Sequence, residues 1–367
     1  MTTEIDIAFA LLRAAIGGVD KDSPLTSHFS PLTSKDWWSL FRLLQQNHVA
    51  ALTADTMATL DVPREVKIPW LAERDKAVRW HRYQLEVQQE IVSLMEQHGI
   101  KTLVLKGTHL SQYYPQPELR EFGDLDLYFY DRHDEADRVA KEKLGVEVRN
   151  DSHHHSKYNY RGVTVESHYD FVNTHYPRSN RRYEALLKEL VGAKKTLSTF
   201  NFQLSTFEIL FLLRHMACHF AASRITLRDV VDWTLTCRAL ADKVDWQLVK
   251  KAIEDFGMTD FVAALNTIAE NRLATQPPSH SVTQPLSHPV TQSPSHSATQ
   301  SLMEHDIVYG SVDDSDADGP SRLGWKLRRW HALAWKRKMV YNDSALSLYL
   351  TALTSHSMKP QSIMHKQ

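Results

Sequence analysis

Two aspartates one residue apart, Asp124 and Asp126, open the run DLDLYFY at residues 124–130. Aspartate is disfavoured in strands, yet the alternation of acid and leucine followed by aromatics reads as one. Residues two apart on a strand share a face, so both carboxylates point one way and Leu125, Leu127 and Phe129 the other. Carboxylates held together repel each other unless a cation lies between them, and hard divalent ions such as Mg²⁺ take oxygen donors of this kind. Glu166 stands in a second strand-like run, GVTVESHYDF, with His168 two residues on and therefore on the same face. If the two strands are neighbours, three carboxylates converge, a set able to hold divalent ions for phosphoryl chemistry.

Lys106-Gly107-Thr108 lies where the apolar run IKTLVL (100–105) passes into a helix-like segment, 108–114. Glycine lets a backbone approach a phosphate closely, and free N–H groups at a helix start attract anions. Lys106 would add a point charge, Thr108 a hydroxyl, and Arg120 a bidentate partner for phosphate. Bland readings stand beside these. The aspartates could be a cap and a solvent-facing strand residue, Glu166 an exposed edge residue, and Lys106-Gly107 a plain connection. His168 could orient Glu166, contact phosphate or sit satisfied in the core. Arg120 could pair with Glu118 or Glu121 on the surface.

The elements that would position these groups follow from periodicity. Residues 1–99 read as helical, with apolar positions at three- and four-residue spacing and a long helix from about Trp70 to Gln97 ended by Gly99. Residues 100–180 alternate strand and helix texture, with 155–160 and 162–171 as a hairpin pair, which implies a mixed α/β (α+β) sheet. Residues 181–274 return to helix. Residues 275–300 repeat with a period of eight (TQPPSHSV, TQPLSHPV, TQSPSHSA) and lack large apolar groups, so 275–320, including the acidic stretch 313–318, is expected to be a disordered insertion. Residues 321–367 should form terminal helices and a tail.

The string LVLKGTHLSQYYPQPELREFGDLDLYFY followed by GVTVESHYD resembles an uncharacterised bacterial nucleotidyltransferase family with the pattern Lys-Gly, Arg, Asp-x-Asp, Glu-x-His. That family falls within the DNA polymerase β-like superfamily. The resemblance covers residues 100–175. It implies a nucleotidyltransferase-type mixed sheet flanked by helical regions, with Asp124, Asp126 and Glu166 as catalytic and metal-binding acids. Lys106, Gly107, Thr108, Arg120 and His168 would serve nucleotide and phosphate binding, Gly107-Thr108 replacing the usual Gly-Ser turn. It implies Mg²⁺ or Mn²⁺ as cofactor and a nucleoside triphosphate such as ATP as substrate. The acceptor, a small molecule, protein or RNA, would be nucleotidylated as pyrophosphate leaves.

Composition adds limits. A formal net charge of −1 gives no bulk attraction to nucleic acid or membrane. No apolar run reaches the roughly 20 residues of a membrane span. Two cysteines without CxxC spacing and an N-terminus without a basic run fit a reducing cytoplasm. His153-His154-His155 should alternate between strand faces and so fail to converge on a metal. His215 and His219 have zinc-protease spacing but no glutamate between them. Asp314-x-Asp316-x-Asp318 begins like a calcium loop but lacks its closing glutamate. The stretch WKLRRWHALAWKRK, from Trp325, reads as a packed amphipathic helix, with nucleic-acid contact as the sharper alternative. Two further functions therefore compete: a non-catalytic nucleotide-binding regulator on the same fold, and an RNA-modifying nucleotidyltransferase.

Overall fold

Four short runs pair into one sheet: β1 (Leu103–Val104), β2 (Asp124–Tyr128), β3 (His155–Tyr160) and β4 (Val163–His168), in the spatial order β1-β2-β4-β3. The computed structural model describes residues 3–17, 32–150, 152–192, 197–273, 294–310 and 328–350. β1 and β3 run antiparallel to their neighbours, and β2 and β4 run parallel to each other. The sheet is thus mixed, as its sequence texture implies.

The chain forms two compact units, one of residues 78–211 with 343–367 and one of 1–77 with 212–342. The first holds the sheet and is wider than the expected 100–180 core. It takes in the later turns of α4 (Arg64–Gln97), whose Val87, Ile91 and Met95 recur every fourth residue and are fully buried. They pack on Leu125, Leu127, Val163 and Val165, the apolar face of β2 and β4, together with Ala136, Val139 and Ala140 from the helix at His133–Val139 and the turn after it. α4 begins six residues before the expected start and carries Pro69 inside it. Before β3, Arg149 makes an isolated bridge to Lys157.

The second unit is helical. α1 (Glu4–Ala15) and α2 (Ser34–Gln46) each start with a reciprocal capping box, Thr3 with Asp6 and Thr33 with Asp36. Thr226 and Asp229 start the helix at Leu227–Leu240 in the same way. Arg228 pairs with Asp229 at 3.3 Å and lies 4.0 Å from Asp232, so these charges cap and pair along a helix.

One expectation is corrected here. Residues 294–309 form a helix within the segment expected to be disordered. Its polar start hides a later apolar face: Met303, Ile307 and Val308 are buried, and the Val308 carbonyl accepts from Asn47 Nδ2 at 2.9 Å. Residues 275–293, the acidic stretch with its calcium-like spacing, and Trp325 lie outside the described residues. In the rest of the tryptophan stretch, Trp335 packs edge-on against Phe220, and Lys336 is fully buried against Asp306 at 2.5 Å. The packed reading holds for these residues. Among the described residues no helix is long and apolar enough to cross a membrane, and Cys218 and Cys237 are free thiols.

Candidate active site

The parallel pairing of β2 with β4 sets Asp126 directly beside Glu166, and Asp124 beside Thr164. The pleat does the sorting. Leu125, Leu127, Val163 and Val165 enter the core with no exposure, so Asp124, Asp126, Thr164, Glu166 and His168 share the opposite face. That alternation explains how two aspartates tolerate a strand: the leucines between them anchor it.

Two nitrogen-bearing side chains close on Asp126 from this face. Lys106 Nζ lies 2.8 Å from Asp126 Oδ1, and His168 Nε2 lies 3.1 Å from the same oxygen. Burial alone would raise the Asp126 pKa, but the Lys106 ammonium and the His168 ring outweigh it and hold the carboxyl well below the usual range. Glu166 moves the opposite way. Burial, with the charges of Asp126 and Asp124 beside it, raises its pKa. Its oxygens are divided: Oε1 accepts from Lys157 Nζ at 3.1 Å, while Oε2 lies 3.3 Å from His155 Nδ1 and 3.7 Å from His168 Nε2. Asp124, half-buried at the start of β2, accepts no hydrogen bond from a side chain among the described residues.

The Lys-Gly turn is held from behind. Gly107 has φ 55° and ψ −117°, open to glycine but strained for other residues, and a Cβ there would meet the Phe122 ring at 3.2 Å and the Asp124 carbonyl at 3.4 Å. Arg120 is 4% exposed; its Nη1 donates to the Gly107 carbonyl at 3.0 Å and its guanidinium lies over the Phe122 ring. Arg120 is therefore buried against the turn and braces it. The Thr108 hydroxyl donates to Gln88 Oε1 on α4. The next residues tie the turn to α8 (Leu197–Ala222): His109 Nε2 and Tyr113 Oη each lie 3.0 Å from Glu208 Oε2.

Sequence reasoning missed Lys157, His155 and His154. Lys157 and His155 are the antiparallel partners of Glu166 and His168. The alternation expected to scatter the three histidines applies only once the strand begins, at His155. His154 lies in the bend before it, and its ring is 4.5 Å from that of His155 and 5.6 Å from that of His168. Burial first, then the neighbouring rings, pushes the His154 pKa down to about 2 and that of His155 to about 3, so both are neutral near pH 7.

Whether this face fits a divalent cation turns on His168. Its Nδ1 lies 3.2 Å from the Asp170 carbonyl, which can only accept. With its proton on Nδ1 the ring would present the Nε2 lone pair to Asp126 and Glu166; with a proton on Nε2 it donates to them. Three lone-pair atoms, each within 4.8 Å of the others, converge from Asp126, Glu166 and His168. A proton on Nε2 or a metal ion resolves that convergence, and a backbone carbonyl fixing the far nitrogen is the usual support of a ligating histidine. The donor set fits a cation.

No curated protein and no solved structure matches this chain. A family model does, over residues 33–274, a span that contains the sheet and every residue of the acid face. On that match the chain belongs to the family described as uncharacterised nucleotidyltransferases.

Proposed function

We propose that this chain moves a nucleoside monophosphate from a nucleoside triphosphate to an acceptor and releases pyrophosphate. The observation that carries the reading is the register of Asp126 with Glu166, with Asp124 on the same face. Asp124, Asp126 and Glu166 would hold Mg²⁺ or Mn²⁺, which when bound neutralises phosphate charge. Lys106 places a positive charge against this face, and Gly107, free of a Cβ, leaves the backbone open to a phosphate. Arg120 acts by holding the Gly107 carbonyl, as a positioning residue.

In the reaction the acceptor nucleophile forms a bond to the α-phosphorus. The bond from that phosphorus to its bridging oxygen breaks, and its electron pair leaves on pyrophosphate. Glu166 helps position the acceptor and takes its proton. Alignment of the reactants supplies much of the rate. The free cysteines fit a reducing cytoplasm as the place of action.

The test is ATP binding to the full chain with and without Mg²⁺, followed by label transfer from α-phosphate-labelled nucleoside triphosphates into a cell extract. Label should appear on one acceptor class, small molecule, protein or RNA, and vanish in Asp124→Asn and Asp126→Asn. ATP binding indifferent to Mg²⁺ and to both substitutions, with no label transferred, would instead mark a non-catalytic nucleotide-binding regulator.

A further inference from the structure

We propose that His154, His155 and His168, with Glu166 Oε2, form a nitrogen-rich site for a divalent transition-metal ion, represented by Zn²⁺, on the His side of the acid face. The inference rests on the histidine geometry and does not need the nucleotidyl-transfer reading.

Each of the three rings offers a nitrogen within 4.8 Å of the other two. Zinc–nitrogen bonds of about 2.0–2.1 Å set tetrahedral donors about 3.4 Å apart, so the rings need to close by up to about 1.4 Å. In two of the rings the outer nitrogen is already held. His168 Nδ1 is fixed by the Asp170 carbonyl at 3.2 Å, and His154 Nδ1 lies 3.0 Å from Ser152 Oγ. In both rings this leaves Nε2 to face inward, the orientation that supporting hydrogen bonds impose on ligating histidines. The main chain braces the bend too, since the Tyr169 and Asp170 N–H groups both donate to the His154 carbonyl at 3.1 Å. His155 supplies the independent sign. Its Nδ1 is buried, makes no hydrogen bond, and lies 3.3 Å from Glu166 Oε2 without hydrogen-bond alignment.

The chemistry of the donors selects the metal. Mg²⁺ prefers an all-oxygen shell, whereas imidazole suits zinc and its neighbours. Lys157 bonds Glu166 Oε1, so Oε2 is the oxygen of that carboxylate turned toward the imidazoles. A bound ion would tie the bend at 152–154 to the end of β4 and fix the orientation of Glu166.

The experiment is a Co²⁺ titration of the full chain after chelator stripping, followed by visible absorption, then displacement by Zn²⁺. Wild type should show ligand-field bands that Zn²⁺ abolishes and millimolar Mg²⁺ does not. His154→Gln and His155→Gln should each weaken binding by more than about 10-fold, with metal-free circular dichroism and unfolding midpoint close to wild type. Asp124→Asn should keep the full Co²⁺ spectrum while losing Mg²⁺-dependent ATP binding, so this site and the proposed reaction fail separately. Histidines elsewhere in the chain bind equally in every variant. A wild type without bands, or bands unchanged in both histidine variants, would overturn the proposal.

Discussion

Asp124 and Asp126 stand on one face of one strand, yet only Asp126 is buried and paired, with Lys106 at 2.8 Å. The two should therefore respond differently to the same change. Asp126→Asn removes the carboxylate charge facing the Lys106 ammonium in a mostly buried place, which costs about 2–3 kcal/mol, toward the low end for a broken buried pair because asparagine still accepts a hydrogen bond. Asp124→Asn should change stability by less than about 0.5 kcal/mol. Both should lower nucleotidyl transfer by at least about 100-fold, a typical loss for a group that stabilises charge in a transition state. Urea unfolding of both variants beside label transfer checks this, and equal stability losses would contradict the burial difference.

Gly107→Ala tests whether the turn shapes the acid face. Its φ of 55° strains any side chain, and the new Cβ presses on the Phe122 ring. A loss of about 2 kcal/mol follows from backbone strain alone. Because the ring that must give belongs to Phe122, two residues before Asp124, Mg²⁺-dependent ATP affinity should drop as well. Calorimetric titration reads the affinity and thermal unfolding the stability.

The acid face was legible in the sequence because strand alternation is a local rule, and the leucines around Asp126 declared which face was core. More was legible than was read. Arg161 and Gly162 form a two-residue turn with φ of 53° and 81°, the geometry of a tight hairpin. Counting back from it pairs Tyr160 with Val163, hence Lys157 with Glu166 and His155 with His168. The position of Arg120 was not legible. Arginine is usually exposed, and its burial depends on the Gly107 carbonyl and the Phe122 ring, a tertiary arrangement no periodicity encodes. The helix at 294–309 was hidden by the polar repeat running into its first turns.

Arg120 separates a positioning role from direct phosphate binding. Arg120→Ala removes the donor to the Gly107 carbonyl and the cover over Phe122, and should destabilise the chain by about 2–3 kcal/mol. Arg120→Lys keeps the charge but not the planar fork, so it should recover less than half of that stability. A direct phosphate ligand would behave otherwise, with lysine restoring ATP affinity and neither variant disturbing unfolding.

Glu184 carries the pH dependence of the sheet unit. It is 5% exposed, and its carboxylate accepts from the Phe171 and Val172 N–H groups at 3.0–3.1 Å, holding the chain just beyond β4. Burial and the nearby Asp170 charge outweigh those bonds and the Lys188 ammonium, pushing its pKa up to about 7. A carboxyl whose folded pKa lies above its unfolded value binds more protons in the native state, so stability falls as pH rises between the two. The window runs from about 4.5 to about 7, and the full effect is about 3 kcal/mol. Glu184→Gln keeps an acceptor for the N–H groups and has no proton to lose. Wild type should therefore be destabilised relative to the variant by about 2.5 kcal/mol more at pH 8 than at pH 5. Urea midpoints across that range read the difference directly, and parallel pH profiles for the two proteins would show that Glu184 is already ionised at pH 5 in the folded chain.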